Sequence, residues 1–303
     1  MSARKIRANL LFLVTAFIWG SAFVAQRMGN QHVGPFTFNA ARMLVAGCAL
    51  FAIALLLRNT RFGAPPADVP PAVSGRALLF GGLFCGLALF FASSFQQVGL
   101  MYTTAGKAGF ITTLYIIFVP ILGVFLKKKI RGRIWLSVAL SVAGLFLLSF
   151  FEDMRLNFGD FLMLFCALCY AAHILIIDHY ANRVDSVRLS CIQFFVAAAF
   201  AFAVMFLFES PDIASVMSAW VPLLYVSVLS GAFGFTFQII AQKDTDPAVA
   251  ALLMSLEAVF AAVTGYFVLR EILTPGELVG CLLMFCAIVL AQLPQRPEGK
   301  VHG

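Results

Sequence analysis

Ten long apolar segments, separated by short polar gaps, constrain this chain more than any other feature. A helix needs about 20 apolar residues to cross roughly 30 Å of hydrocarbon, and each segment meets or approaches that length. The segments are residues 8–28, 35–57, 77–97, 103–126, 134–151, 159–179, 187–208, 221–241, 248–269 and 277–294. Hydrophobic residues make up 62% of the chain and charged residues 12%, which leaves too little polar surface to cover a soluble globule. The pattern predicts an all-α integral membrane protein with ten transmembrane helices.

The basic residues are concentrated in every second gap. Of the 21 Lys and Arg residues, sixteen lie in one set of alternate gaps or at the termini. These sixteen are Arg4, Lys5, Arg7, Arg58, Arg61, Arg76, Lys127, Lys128, Lys129, Arg131, Arg133, Arg183, Arg188, Lys243, Arg296 and Lys300. Only Arg27, Lys107, Arg155 and Arg270 belong to the other set, and Arg42 lies within the second segment. Because cytoplasmic loops collect basic residues, we expect an inner (plasma) membrane protein with both termini in the cytoplasm.

Several function classes are disfavoured by what lies between the segments. The net charge of +7 is spread over short loops, so topology explains it better than nucleic-acid binding does. The longest gap, residues 58–76, is too short to hold a soluble catalytic domain. No phosphate-binding or dinucleotide-binding motif occurs, and all seven cysteines lie inside apolar segments. We therefore predict no metal site, no cofactor and no nucleic-acid partner.

The two halves of the chain show weak internal similarity. A shift of 151 residues places Trp19 over Tyr170, and a shift of 142 residues places Gln96 over Gln238. Five segments per half is an odd number, so the second half must enter the membrane from the opposite side. Repeats of this kind are common in transporters. We therefore expect two inverted five-helix repeats, residues 1–152 and 153–303.

Three stretches resemble the EamA family of the drug/metabolite transporter superfamily. They are L-x-Y-T-T-A-G-K-A-G-F-I-T-T-L-Y-I-I-F-V-P (Leu100–Pro120), W-G-S-A-F (Trp19–Phe23) and L-E-A-V-F-A-A-V-T-G-Y-F-V-L-R-E (Leu256–Glu271). The resemblance implies a central cavity lined chiefly by segments one, three, four, six, eight and nine, with alternating access. It also implies a bacterial inner-membrane permease, in a family where many members export amino acids or other metabolites. The first half departs from the family pattern, since Lys127-Lys128-Lys129 stands where the second half keeps Arg270-Glu271.

Glu257 is the candidate functional residue with the strongest signal. It lies near the middle of the ninth segment, where a charge costs at least about 2.5–3.5 kcal/mol. Three interpretations stay open: a contact to a substrate ammonium group, a site for a coupling proton, and a neutral carboxyl group hydrogen-bonded to a neighbouring helix.

Aromatic and hydroxyl side chains form a second group of candidates. Tyr115 aligns with Glu257 in the repeat and lies one turn from Thr112. Trp19 and Tyr170 are symmetry-paired aromatic residues of segments one and six. Such side chains suit an amino acid or a cationic aromatic substrate, and interhelical packing is the alternative.

Four further polar residues lie inside apolar segments. Gln96 and Gln238 either join helices or line a hydrated path, and His173 either titrates or forms a helix–helix hydrogen bond. Arg42 either pairs with a substrate carboxylate or reaches towards the membrane surface as an anchor.

These observations predict a secondary transporter, without ATP hydrolysis, that exports a small metabolite such as an amino acid. A membrane enzyme acting on a lipid-linked substrate is the first alternative, but the required cluster of reactive residues is not visible. An ion channel is the second, and a single Glu257 does not form the charged rings that a channel needs.

Overall fold

The computed structural model describes residues 3–60, 62–64, 70–103, 105–128, 130, 132–149, 157–269 and 275–293, and all regular structure in these ranges is helical. The α-helices are α1 (Ala3–Asn30), α2 (Pro35–Leu56), α3 (Pro71–Gly99), α4 (Ala105–Thr113), α5 (Tyr115–Phe125), α6 (Gly132–Ser149), α7 (Phe158–Tyr180), α8 (Ser186–Phe208), α9 (Ile213–Ser218), α10 (Trp220–Leu224), α11 (Phe235–Gln242), α12 (Pro247–Met254), α13 (Leu256–Leu269) and α14 (Pro275–Gln292). A 3₁₀ turn (Ala181–Arg183) and a π-helix (Tyr225–Gly234) complete the fold. The all-α prediction is confirmed.

Eight helical segments are long and apolar enough to cross a membrane. They are Ala3–Asn30, Pro35–Leu56, Ser74–Gly99, Ala105–Phe125, Phe158–Arg183, Ser186–Phe208, Trp220–Gln242 and Pro247–Val268. Two shorter apolar helices, Gly132–Leu147 and Leu278–Ala291, coincide with the fifth and tenth predicted segments. The chain is therefore a multi-pass membrane protein. The predicted boundary between repeats, at residues 152 and 153, lies outside the described residues, as does the Arg270-Glu271 motif.

The polar contacts between loops and helix ends fall into two groups, one at each end of the helix bundle. We call the end where α1 begins the N-terminal end, and the other the opposite end. Contacts at the N-terminal end are Arg7–Asp244, Lys128–Asp178, Arg133 to the Leu293 carbonyl, and Lys243 to the Gly63 carbonyl. Contacts at the opposite end are Lys107–Asp160, Asn157 to the Tyr102 carbonyl, and Glu209 to the Phe36 amide. Alternate gaps of the sequence therefore meet at the same end in space.

The helices of the two halves pack mainly on one another. The five most extensive helix contacts, α2–α8, α6–α14, α3–α7, α3–α8 and α1–α13, all join the first half to the second. Close approach is possible because small residues lie in these contacts. A Cβ atom at Gly20 of α1 would lie 2.5 Å from the carbonyl oxygen of Glu257 in α13. The buried core, and any cavity inside it, therefore lies between the halves.

The fourth and ninth predicted segments are each interrupted, although both were predicted as single helices. Leu114 separates α4 from α5, and Ser255 separates α12 from α13. At both places a hydroxyl group donates to the carbonyl three residues earlier: Thr113 to Phe110 at 2.7 Å, and Ser255 to Leu252 at 2.8 Å. Side chains of this kind compete with the backbone ladder and bend helices. The shift of 142 residues superimposes these two bonds, so the interruptions are repeat-related.

Candidate functional site

A cavity lies between the halves, next to both helix interruptions. Its walls come from α1, α2, α3, α4 and α5 of the first half, and from α7, α8, the π-helix, α11 and α13 of the second. The lining residues are Trp19, Ala22, Phe23, Gln26, Arg42, Met43, Leu89, Gln96, Thr112, Tyr115, Tyr170, Ile174, Phe194, Val226, Ser230, Gly231, Phe235, Gln238 and Glu257. Eight of the nine predicted site residues are in this set. All six segments that were predicted to line the cavity do so. Helices α2 and α8, which were not predicted to line it, also contribute, through Arg42 and Phe194.

The cavity is narrow in this conformation. The volume open to the centres of water molecules is about 40 Å³. One water needs about 10–15 Å³ by the same measure, so the space holds a few waters or a slim polar molecule. The lining is mostly apolar, with a few polar groups that converge from different helices, which is typical of small-molecule sites.

Arg42 contributes a buried cationic group to the cavity wall. Its Nη1 donates to Gln26 Oε1 at 2.6 Å and its Nε donates to Asn39 Oδ1 at 2.8 Å. Asn39 is oriented by Ser93 and Ser94, whose hydroxyl oxygens accept from its Nδ2 at 3.2 and 3.1 Å. The anchor interpretation, in which Arg42 reaches towards the membrane surface, is not what the structure shows. The side chain points into the bundle, where two amide oxygens accept from two of its N–H groups.

Gln26 was missed in the sequence analysis. It lies seven residues after Trp19 on α1, which is two helical turns, so both side chains occupy one face. An amide at that spacing from a candidate aromatic residue was the available signal. Its side chain accepts the short hydrogen bond from Arg42, and its backbone carbonyl accepts from Gln97 Nε2 at 3.3 Å.

Tyr115 and Glu257 occupy corresponding places at the two interruptions. Tyr115 is the first residue of α5, and Glu257 is the second residue of α13. The Tyr115 hydroxyl and Glu257 Oε1 are both buried, and neither has a hydrogen-bond partner among the described residues. Glu257 is 3% exposed. The repeat therefore brings a phenol and a carboxyl group to the cavity with polar atoms left for another molecule.

Trp19 is held by the π-helix. Its Nε1 donates to the Ser230 carbonyl at 3.1 Å, and its ring lies 4.7 Å from that of Phe235. A Cβ atom at Gly234 would lie 2.6 Å from Trp19 Nε1, so only glycine leaves room for the indole. The eighth predicted segment is thus not a regular α-helix. Its i→i+5 geometry, common at functional sites, presents a carbonyl to α1.

The amide pair Gln96 and Gln238 also lines the cavity. The Tyr170 hydroxyl donates to Gln96 Oε1 at 3.5 Å, which is a long hydrogen bond. Gln238 Oε1 is buried without a partner in the described part of the chain. Thr112 faces sulfur atoms, with its Oγ1 3.7 Å from Met163 Sδ and 4.0 Å from Cys166 Sγ.

His173 is the predicted site residue that does not line the cavity. It is fully buried, its Nε2 lies 2.9 Å from Gln193 Oε1, and its ring contacts the edge of Phe235. One turn separates it from Tyr170, but its ring packs against Phe235, which lines the cavity while His173 does not. This geometry matches the helix–helix hydrogen bond that the sequence analysis left open.

Metal-ligating side chains are not clustered in the part of the chain that the structure describes. No group of three or more His, Cys, Asp or Glu residues is arranged there to hold a metal ion. The polar atoms of the cavity are amide, hydroxyl, carboxyl and guanidinium groups, which suit binding of an organic molecule.

Comparison with known proteins gives the family. The sequence profile of the EamA-like transporter family matches residues 6–150 and 157–293. An "Uncharacterized transporter" of Archaeoglobus fulgidus is 32% identical, over 96% of this chain and 87% of that protein. The "Uncharacterized transporter YoaV" of Bacillus subtilis is 23% identical, over 94% of this chain and 96% of that protein.

A solved crystal structure supports the same fold. It superimposes with a TM-score of 0.76 at 17% identity, covering 94% of this chain and 96% of the other. The two matched profile regions correspond to the two halves that contact each other around the cavity, so the predicted two-repeat architecture and the family resemblance are confirmed. The chain belongs to the EamA-like transporter family and is a membrane transporter.

Proposed function

We propose that this protein is a secondary transporter that exports a small polar metabolite, such as an amino acid, by alternating access. The observation that carries the proposal is the cavity itself. Both halves supply its walls, and it holds polar atoms that no described side chain satisfies. A site at the contact of two repeats is the position at which rocking of the halves would expose a substrate first to one side and then to the other.

The proposed topology is ten membrane crossings in two inverted five-helix repeats, residues 1–152 and 153–303, with both termini in the cytoplasm of the inner membrane. The lopsided distribution of basic residues supports this orientation. The basic gaps meet at the N-terminal end of the bundle, and we therefore assign this end to the cytoplasm. Reporter fusions at the two termini test the orientation, and a periplasmic signal from either terminus contradicts it.

We propose that the eight cavity-lining candidates contact substrate and that Glu257 is also a site for a coupling proton. Glu257 is buried in the cavity beside an interruption of its helix, where a moving proton could change the local packing. His173 has no direct substrate contact in this scheme, because it is bonded to Gln193 outside the lining.

Counterflow in proteoliposomes tests the function. The purified protein is reconstituted and assayed with labelled amino acids, nucleosides and small cations at two pH values. We expect saturable counterflow of one class, loss of most of it in Glu257→Gln, and normal flux in the control Arg27→Gln, since Arg27 is exposed. Unsaturable flux would contradict a carrier, and flux of Glu257→Gln equal to wild type at both pH values would contradict the role of Glu257.

Export direction is tested in cells. Expression of the protein should lower the intracellular content of the transported compound and raise tolerance to a toxic analogue of it. A rise in intracellular content would show uptake instead.

A further inference from the structure

An arginine and a glutamate line the same cavity without forming an ion pair with each other. Arg42 comes from α2 of the first half, and Glu257 from α13 of the second. Both side chains are buried, at 6% and 3% exposure. Neither makes an ion pair with any charged group that the structure describes. Isolated charges at membrane depth are costly, and where they persist they mark substrate pathways.

The surroundings of Arg42 are polar but uncharged. Its two hydrogen bonds go to the amide oxygens of Gln26 and Asn39, which leave its positive charge uncompensated. The second of these acceptors is held by Ser93 and Ser94. A guanidinium held in this way is preoriented, with N–H groups remaining, and a carboxylate is the group that its geometry binds best.

The surroundings of Glu257 are also uncharged. Glu257 Oε1 and the Tyr115 hydroxyl form no well-aligned hydrogen bond with a described residue, although the two side chains lie close enough to interact with each other. An ammonium group carries several N–H donors, which suit a carboxyl oxygen and a phenol oxygen together.

Tyr170 lines the cavity together with Arg42 and Glu257. The three side chains border the same space between the halves. Tyr170 belongs to α7, so the three side chains come from three different helices. Because they line one narrow cavity, a small molecule inside it lies near both Arg42 and Glu257.

We propose that the cavity selects small zwitterions, with the substrate carboxylate on Arg42 and the substrate ammonium on Glu257. The proposal rests on the carrier function above and assigns its specificity. A simple amine would leave Arg42 without a carboxylate partner, and a simple carboxylate would leave Glu257 without an ammonium partner. Leaving a buried group unpaired on binding discriminates strongly between otherwise similar ligands. Gln26 is a positioning residue in this scheme, because it acts on the substrate through Arg42.

Equilibrium binding to the purified full-length protein tests the proposal independently of transport. The twenty amino acids are screened by thermal shift in detergent, and affinities are then measured for the best ligand and two relatives. One relative is the amine formed by replacing its carboxylate with hydrogen, and the other is the acid formed by replacing its ammonium with hydrogen. We expect both to bind about 10- to 100-fold more weakly than the amino acid.

Variants of the two residues show which of them recognises the substrate carboxylate and which recognises the substrate ammonium. In Arg42→Gln the preference for the amino acid over its amine should fall to about twofold, while the preference over its acid persists. Glu257→Gln should show the reverse pattern, and Arg27→Gln should leave both preferences unchanged. Arg42→Lys and Glu257→Asp, which keep the charges, should retain part of the selectivity, and melting curves identify any variant that is unfolded.

Three results would overturn the proposal. They are equal affinity for the amino acid and its amine or acid, equal loss of all three ligands in both variants, and absence of binding by all twenty amino acids. If counterflow is nevertheless found for a cation or a nucleoside, the carrier function stands and only the zwitterion assignment fails.

Discussion

Two ion pairs, one at each end of the helix bundle, differ in how far they are buried. At the opposite end, Lys107 Nζ lies 2.7 Å from Asp160 Oδ2, and the two side chains are only 13% and 1% exposed. At the N-terminal end, Arg7 Nη2 lies 3.7 Å from Asp244 Oδ2, and these side chains are 63% and 23% exposed. The first pair is desolvated and further hydrogen-bonded, whereas the second is a solvated surface pair.

The difference shows which of these two ion pairs is more costly to break. Lys107 lies at the start of α4 and pairs with the start of α7, while Asp244 precedes α12 and pairs with the start of α1. Under the repeat, α4 corresponds to α12 and α7 to α1, so the two contacts join corresponding helices, although not corresponding residues. Breaking a buried pair is far more costly than breaking an exposed one. Alternating access through this cavity would require the tight contact to open.

The largest effect is expected from breaking the buried pair. Asp160 also accepts from Thr103 Oγ1 at 2.9 Å and from the Asn157 amide at 2.9 Å. Asp160→Ala leaves Lys107 buried without this carboxylate, so we expect a loss of about 3–5 kcal/mol in the free energy of unfolding. The matched variant Asp244→Ala should lose about 0–1 kcal/mol. Thermal melts in detergent compare them, and equal losses would show that the two ends do not differ.

The second-largest difference between the two ends is expected from glycine substitutions. A Cβ atom at Gly159 would lie 2.7 Å from the Gly99 carbonyl oxygen, whereas nothing lies within 4 Å of one at Gly132. Gly159→Ala must push α7 away from the end of α3, at a cost of about 1–3 kcal/mol. Gly132→Ala should be neutral or stabilising by up to about 1 kcal/mol. A destabilised Gly132→Ala beside a neutral Gly159→Ala would reverse the comparison.

Glu209 tests how the opposite end is closed near α2. Its carboxylate accepts from the Phe36 and Thr37 amides at 2.9 and 2.8 Å, which caps the first turn of α2 from the end of α8. Glu209→Ala should cost about 1–2 kcal/mol, because amide donors lose a charged acceptor. Asp212→Ala, in an exposed cap of the short helix α9, should cost less. Similar losses for both would indicate that burial of the α2 cap is unimportant.

The smallest expected effect depends on pH and concerns Lys243, at the N-terminal end. Its Nζ donates to the carbonyls of Gly63, Ala64 and Val184, and burial lowers its pKa to about 8. The ordinary pKa of 10.5 applies in the unfolded chain, which therefore binds more protons between pH 8 and 10.5. The contribution of Lys243 to stability must then rise with pH across that window. The melting temperature of wild type relative to Lys243→Gln should increase by a few degrees from pH 7 to pH 9.5, and a constant difference would contradict the lowered pKa.

Much of the architecture could be predicted because it depends on composition along the chain. Apolar length locates the helices, and short gaps make neighbouring helices antiparallel, so the grouping of loops at two ends follows directly. The repeat then pairs Tyr115 with Glu257 before any coordinates are known. Eight of the nine candidate residues line one cavity for the same reason: polar side chains in apolar segments avoid lipid.

Other features depend on contacts between distant segments, which local patterns do not encode. The interruptions at Leu114 and Ser255 involve ordinary helix-forming stretches, and only the hydroxyl bonds and packing around them reveal the bend. The direction of Arg42 depended on Gln26 and Asn39, which lie on two different helices. The orientation of His173 likewise depended on its hydrogen bond to Gln193, which lies on another helix.

The sequence by itself determined that this chain is a multi-pass, all-helical membrane protein with two related halves, because hydrophobic transfer and repeat symmetry act along the chain. Only the tertiary structure decided how the halves meet. Their contact brings Arg42 and Glu257 to one cavity without pairing them, and it buries the Lys107–Asp160 pair while leaving the Arg7–Asp244 pair exposed. These outcomes depend on helix rotation and on which buried polar groups satisfy one another, and both are set by packing between residues far apart in the sequence.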